Sequence, residues 1–186
     1  PIPGGGLRPS SIYFSPAMSE LYDLFLKHPR ISTDTRKIEP DSIFFALRGA
    51  NFDGNRFVAE ALEKGAAYAV TDDAGTAAAD ERIRYAEDTL QALQELAREH
   101  RRALGIPILA ISGSSGKTTT KELVSRVLAE RFAVYATRGN LNNHIGVPLT
   151  LLSMTRDTEF GVVEMGASAR GELALLSLSL IHISAP

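Results

Sequence analysis

The sequence predicts an α/β protein: a small amino-terminal α/β domain, then an incomplete parallel-sheet domain of the P-loop type. Three observations predict it. Short apolar runs alternate with stretches of helical periodicity from Ile31 onward. A turn of small residues, Gly113-Ser114-Ser115-Gly116, joins the apolar run PILAIS to an amphipathic stretch that begins at Lys117. A later apolar run, FGVVEM from Phe160, carries Glu164 near its end. Strand, loop, helix and strand in that order imply parallel pairing, with ligands at the carboxyl ends of the strands.

In chain order, residues 1–17 lack an initiating Met and are rich in Pro, Gly and Ser. They are expected to be foreign, with Met18 as the natural start, where a helical pattern of Leu21, Leu24 and Phe25 begins. Residues 18–86 form the first predicted domain: a turn-rich segment from Ile31, a strand at 43–47, and a loop with Gly49 and Gly54. A helix then places Phe57, Val58, Ala61 and Leu62 on one face, with Gly65 just past its end, and a strand follows at 66–70. Residues 87–106 are a connecting helix and linker. Asp88 stands three residues before Gln91, a capping-box spacing, and Leu90, Leu93, Leu96 and Ala97 share a face. Gly105-Ile106-Pro107 ends that helix.

Residues 107–176 form the second predicted unit. PILAIS reads as a buried strand, and the helix after the glycine loop is expected to turn Leu123, Val124, Val127 and Leu128 inward, with Glu122 and Arg126 paired outside. A strand at 132–136, an Asn-rich loop, an apolar segment from Val147 and the strand from Phe160 follow. The low-variety tail, 177–186, is expected to be non-native or disordered, so that the chain stops before its domain does.

Composition removes several classes of function. The 186 residues are 44% hydrophobic and 23% charged, enough apolar side chain for one or two small cores and too much for disorder. Formal net charge is -2, with no cluster of Lys and Arg, so small molecules are expected as partners rather than nucleic acid. The absence of Cys excludes disulfides, thiolate-zinc sites and a cysteine nucleophile. His28, His100, His144 and His182 are scattered without metal-ligand spacing. No apolar stretch has membrane-spanning length and no secretory signal pattern is present, so no membrane partner and a cytoplasmic location are expected.

The loop at 113–116 carries the chemistry. Small side chains between a strand and a helix let successive backbone N–H groups face phosphate oxygens, with the positive end of the helix dipole behind them. Gly113, Ser114, Ser115 and Gly116 supply that cradle, Lys117 can reach terminal phosphates, and the Thr118 hydroxyl can ligate a Mg2+ that travels with a nucleotide. The strict Walker pattern would need a Gly at Ile111, so only the short form Gly-x-x-Gly-Lys-Thr is present. Glu164, at the carboxyl end of a parallel strand, is the expected second metal ligand. Asn140, Asn142 and Asn143 offer amides on a loop, as turn residues or as ligand contacts.

Taken together, these motifs resemble the Mur ligases, ATP-dependent amide-forming enzymes of peptidoglycan synthesis. GSSGKTTTKELV resembles their ATP loop, TRGNLNNHIGVPLTLL an Asn-rich segment, VVEMGASARGEL the magnesium-glutamate strand, and the stretch from ISTDTRKIEPDS to YAVTD the uridine-diphosphate domain. The likeness covers most of residues 20–176 and is greatest to the members that use UDP-N-acetylmuramoyl-tripeptide and D-alanyl-D-alanine. It implies that the protein binds ATP and Mg2+ and forms an amide through an acyl phosphate; a monomer is expected. It assigns Gly113 through Thr119, with Lys117, Thr118 and Thr119, to the nucleotide, Thr118 and Glu164 to the metal, and Lys117 and Glu164 to catalysis.

The same resemblance places Ser32, Thr33, Asp34, Thr35, Arg36, Gly49, Asp53 and Gly54 around the uridine diphosphate, with Arg36 as an anion partner. Asn140 and Asn143 face the junction of nucleotide and muramoyl substrate. The family's carboxylated lysine, metal-binding histidine, adenine contacts and carboxyl-terminal domain have no counterpart here, and His182 is not assigned to the histidine. The chain is therefore expected to bind a uridine-diphosphate ligand without completing the amide bond. Two other readings stay open: a P-loop kinase or folylpolyglutamate-synthetase-like ligase, against which residues 32–54 speak, and a nucleotide-binding module without chemistry.

Overall fold

The structure is a computed structural model that describes residues 16–166. The expectations for 1–15 and for 167–186, His182 among them, lie outside the described residues. The chain runs through α1 (Pro16–Lys27), β1 (Arg30–Ser32), β2 (Ser42–Phe45), a short hairpin of β3 (Arg48–Gly49) and β4 (Phe52–Asp53), α2 (Val58–Glu63), β5 (Tyr68–Thr71), α3 (Ala74–Ala77) and β6 (Ile83–Tyr85). It continues through α4 (Thr89–Leu104), β7 (Ile108–Ser112), α5 (Lys117–Ala129), β8 (Val134–Ala136), α6 (Gly146–Leu152) and β9 (Phe160–Met165).

Two parallel sheets result, in the orders β1-β2-β5-β6 and β7-β9-β8. In the first, β2 is buried on both faces, which is why it reads as a continuous apolar run. Its alternate residues face opposite ways. Phe44 packs with Val58, Ala61, Leu62 and Ala69 beneath α2. Ile43 and Phe45 join a larger core that holds Leu21 and Phe25 of α1, Leu93, Leu96 and Ala97 of α4, Val147 and Leu151 of α6, and Val163 of β9. Each fully buried Phe or Leu there contributes roughly 1.5–3 kcal/mol. The helix α4 thus lies between the sheets in space as in sequence, packed on α1, β2 and α6.

Local signals set the ends of α4. Asp88 accepts from Gln91 N at 2.9 Å, and Gly105 closes the helix in the left-handed conformation at φ 64°, donating to Arg101 O at 3.2 Å. Only half of the expected capping box forms, since the Gln91 amide turns to Glu95 Oε1 at 2.8 Å. Gly65, at φ 103°, turns the chain after α2 as its position predicted.

Three expectations fail in the second unit. The strand β7 is not buried: among the described residues it pairs only with β9, and Leu109 is exposed. On α5, Leu123 and Val127 are 60% and 73% exposed, while Val124 and Leu128 are half-buried. The four fall in one arc of the helix, as expected, but only the side of it that holds Val124 and Leu128 meets the sheet. That side is marked by Lys121, the one buried residue of α5. Glu122 sits 3.2 Å from Lys121 Nζ rather than pairing with Arg126.

Candidate nucleotide site

The loop between β7 and α5 needs glycine at both ends. Gly113 has φ 154° and Gly116 has φ 73°, values that L side chains rarely adopt. Gly116 is the residue before α5, and its carbonyl accepts the first intrahelical bond, from Thr120 N at 2.9 Å. The backbone N–H groups of Lys117, Thr118 and Thr119 therefore have no partner within the helix and face the loop end. Ser114, Ser115 and Thr119 are exposed. Lys117 arches back over the loop, and its Nζ donates to Gly113 O at 2.7 Å.

Beside this loop stands Glu164. Its register partner on β7 is Ile111, so the strand pairing itself brings the carboxylate to the loop. Thr118 Oγ1 donates to Glu164 Oε2 at 3.1 Å, and Asn142 Nδ2 donates to Oε1 at 2.9 Å. Glu164 is only 2% exposed, which is not the condition of a solvated strand end. Its backbone N–H donates to Thr137 Oγ1 at 2.9 Å, and Lys121 Nζ lies 3.9 Å from Oε2 while donating to Thr137 O at 2.7 Å. The helix start, the end of β8 and the Asn-rich loop converge on one carboxylate.

Sequence reasoning missed Lys121 and passed over Asn142 when choosing among the asparagines. The signal for Lys121 was present: it stands four residues after Lys117 and three after Thr118, on the side of α5 that faces the sheet. Of the asparagines chosen, Asn143 accepts from Ile145 N and Gly146 N at 3.1 and 2.8 Å and so begins α6, while the Asn140 carbonyl accepts from Asn142 N at 2.8 Å.

The residues after β1 form a compact turn. Ser32 Oγ donates to Asp34 O at 3.0 Å, and Asp34 accepts from Arg36 N at 3.0 Å to start a single turn of 3-10 helix, Thr35–Lys37. Arg36 was expected to await an anion, but its Nε and Nη2 already close on the two Asp34 oxygens at 2.9 and 2.7 Å. The guanidinium, then the Arg36 backbone N–H, hold the Asp34 carboxyl down at about 2. Thr33, Asp34, Thr35 and Arg36, with Phe44, Phe52, Phe57 and Glu60, line a cavity of about 550 Å³. Phe52 and Phe57 stack there with ring centres 5.4 Å apart.

Gly49, Asp53 and Gly54 build the turn behind this cavity. Asp53 accepts from Asn55 N at 3.1 Å, and a Cβ on Gly54 would stand 2.6 Å from Leu47 O. Ser32 instead lines a second cavity of about 420 Å³, with Arg30, Lys37, Tyr135, Arg138 and Leu141, between β1 and the Asn-rich loop. A third, of about 560 Å³, lies between α1, β6 and α4 and includes none of the residues chosen from sequence.

Thr118 and Glu164 fit a hard cation such as Mg2+, which takes oxygen donors and commonly needs only one or two carboxylates besides phosphate oxygens and water. Among the described residues no group of three or more His, Asp or Glu side chains is placed to hold a metal by itself. A metal at Glu164 would therefore draw its remaining oxygens from a ligand or from water. No helix among the described residues is long and apolar enough to cross a membrane.

A parallel sheet in which one strand runs through a glycine loop into a helix, with a carboxylate on the adjoining strand, defines a protein of the P-loop α/β class. Residues 29–101 match the family described as "Mur ligase family, catalytic domain", and residues 111–183 match "Mur ligase middle domain". The chain belongs to the Mur ligase family. It is 45% identical over 148 residues to the UDP-N-acetylmuramoyl-tripeptide--D-alanyl-D-alanine ligase of Bacillus subtilis (strain 168), an alignment covering 79% of this chain and 32% of the relative. The ligase of the same name from Escherichia coli (strain K12) is 38% identical over 144 residues, with 77% and 31% covered.

Among solved structures, MurF ligase from Thermotoga maritima in complex with ADP matches with a TM-score of 0.73 and 33% identity, covering 82% of this chain and 36% of that one. MurF from Acinetobacter baumannii matches with a TM-score of 0.74 and 37% identity, covering 80% and 32%. The chain thus spans about a third of the length of the relatives it matches.

Proposed function

We propose that this chain supplies the nucleotide-holding and uridine-diphosphate-holding parts of an ATP-dependent amide ligase of peptidoglycan precursor synthesis. That ligase joins D-alanyl-D-alanine to UDP-N-acetylmuramoyl-tripeptide through an acyl phosphate. The observation that carries the reading is the convergence of Thr118, Asn142 and Lys121 on the buried Glu164 beside the loop 113–116. The names of the relatives support the substrate pair, and the ADP complex of a structural neighbour supports the nucleotide.

In this reading the N–H groups from Gly113 to Thr119 hold phosphate oxygens, and Lys117 leaves the Gly113 carbonyl to face the terminal phosphate. Thr118 and Glu164 hold Mg2+, which when bound neutralises phosphate charge. Phosphoryl transfer to the tripeptide carboxylate asks for positioning and charge neutralisation rather than a covalent protein group, and that is what these side chains offer. The dipeptide amine then displaces phosphate from the acyl carbon. Ser32, Thr33, Asp34, Thr35 and Arg36 receive the uridine diphosphate, on a surface shaped by Gly49, Asp53 and Gly54, while Asn140 and Asn143 stand at the junction. The units are residues 18–86 for the substrate, 87–106 as connector and 107–176 for ATP, in a cytoplasmic monomer.

The test is a chimera in which residues 29–166 of this chain replace the matching segment of the Bacillus subtilis relative. Mass spectrometry should find the pentapeptide product when ATP, Mg2+ and both substrates are supplied. A folded chimera that binds ATP but forms no product would overturn the substrate assignment.

A further inference from the structure

Lys121 is 3% exposed, in the middle of a helix whose other residues are all more open. A buried ammonium is costly unless it is paired. Here its Nζ lies 3.9 Å from Glu164 Oε2, 3.2 Å from Glu122 Oε1 and 2.7 Å from the Thr137 carbonyl oxygen. The Thr137 hydroxyl in turn accepts from Glu164 N. One cation thus ties α5 to the end of β8 and to β9, and it stands against the same Glu164 oxygen that Thr118 contacts.

That oxygen is the one a divalent cation would share with Thr118. We propose that Lys121 is a resident counter-cation for Glu164, so that the site takes a divalent cation only together with the phosphates of a nucleotide. The inference rests on the functional reading above and adds a rule of loading to it. A buried carboxylate with an ammonium already 3.9 Å away, even one shared with Glu122, attracts a second cation less than a bare one. One Thr hydroxyl and one half-neutralised carboxylate cannot replace the water shell of Mg2+ or Mn2+, which both favour several oxygen donors. The nucleotide's phosphates bring the missing negative charge and the missing oxygens. Lys121 acts here through Glu164, as a positioning residue.

The experiment follows Mn2+ binding to the 186-residue chain by electron paramagnetic resonance, with and without a non-hydrolysable ATP analogue. For the unaltered chain, Mn2+ should bind in the presence of the analogue and not measurably without it. Lys121→Gln keeps a donor toward Thr137 O and removes the charge. It should bind Mn2+ without nucleotide at least tenfold more tightly, and Mn2+ alone should raise its melting temperature. Lys121→Arg, which keeps the charge, should behave as the unaltered chain.

If Lys121 only supported the fold, its loss would weaken Mn2+ binding, and that result overturns the proposal. Tight nucleotide-independent Mn2+ binding by the unaltered chain overturns it too, even where Lys121→Gln does not fold. Failure of the unaltered chain to bind the analogue at all would count against the nucleotide reading itself. Normal analogue binding with no gain in Lys121→Gln would sink the loading rule alone.

Discussion

Asn142 donates from Nδ2 to Glu164 Oε1 at 2.9 Å, while its own carbonyl accepts from Gly166 N at 2.7 Å. The loop and the end of β9 therefore grip each other at two points, and one of those points is the carboxylate of the candidate site. Asn142→Ala would leave Glu164 Oε1 buried without its donor. A cost of about 1–3 kcal/mol in urea denaturation is expected. Stability equal to that of the unaltered chain would show that water replaces the amide.

Lys117→Ala tests the loop. Among the described residues the side chain makes one hydrogen bond, to the Gly113 carbonyl, so the melting temperature should hold. Nucleotide affinity, read by calorimetry, should fall by roughly tenfold to a hundredfold, the equivalent of one or two charged hydrogen bonds. Undiminished affinity would remove Lys117 from the phosphate site.

Glu164→Gln keeps the shape that Thr118 and Asn142 contact and removes the charge. More Mg2+ should then be needed to support nucleotide binding, by about tenfold or more. A magnesium dependence equal to that of the unaltered chain would leave Glu164 a structural residue.

Gly54→Ala separates packing from ligand contact. Its Cβ would meet Leu47 O at 2.6 Å and Ala46 C at 2.7 Å, both backbone atoms that cannot step aside cheaply. A loss of about 1–3 kcal/mol in denaturation is expected before any ligand is added. Full stability together with lost ligand affinity would point instead to direct contact.

His100 links acidity to stability. It is buried on α4, its Nε2 donates to Met154 O at 2.8 Å, and its ring meets Phe25 edge-on at 4.9 Å. Burial lowers its pKa, and the Met154 carbonyl opposes this only in part. The unfolded chain thus binds the proton more readily. His100 contributes stability in full above the unfolded value of about 6.5, and that contribution is lost as pH falls below it through the folded value. Denaturation midpoints should drop over that range, and His100→Gln should flatten the drop. An unchanged slope in the variant would assign the effect to other groups.

What could be read from sequence divides along a physical line. The caps of α4, Asp88 and Gly105, and the turn at Gly65 are local events within a few residues, and they stand where the spacing put them. The glycine loop and Glu164 were legible because a strand, a tight turn and a helix have few ways to meet. Lys121 was not, because a mid-helix lysine is usually solvated and only the β8 carbonyl and β9 carboxylate make its burial favourable. Leu123 and Val127 were misread for the converse reason: which part of an apolar arc is covered depends on the neighbours of the helix. Asn142 and Asn143 look alike in sequence, and only the start of α6 makes one a cap and leaves the other to hold Glu164.

The large core has one more consequence. Phe45 and Val70 of the first sheet share it with Val163 of the second, and Leu93, Leu96 and Leu151 belong to the same cluster. The turn after β1 and the carboxylate on β9 are thus carried by sheets that share one core. A ligand anchored at both would be gauged against the span that this shared core sets. Selection among chains of different length would then follow from reach, before any group at either end is tested for its chemistry.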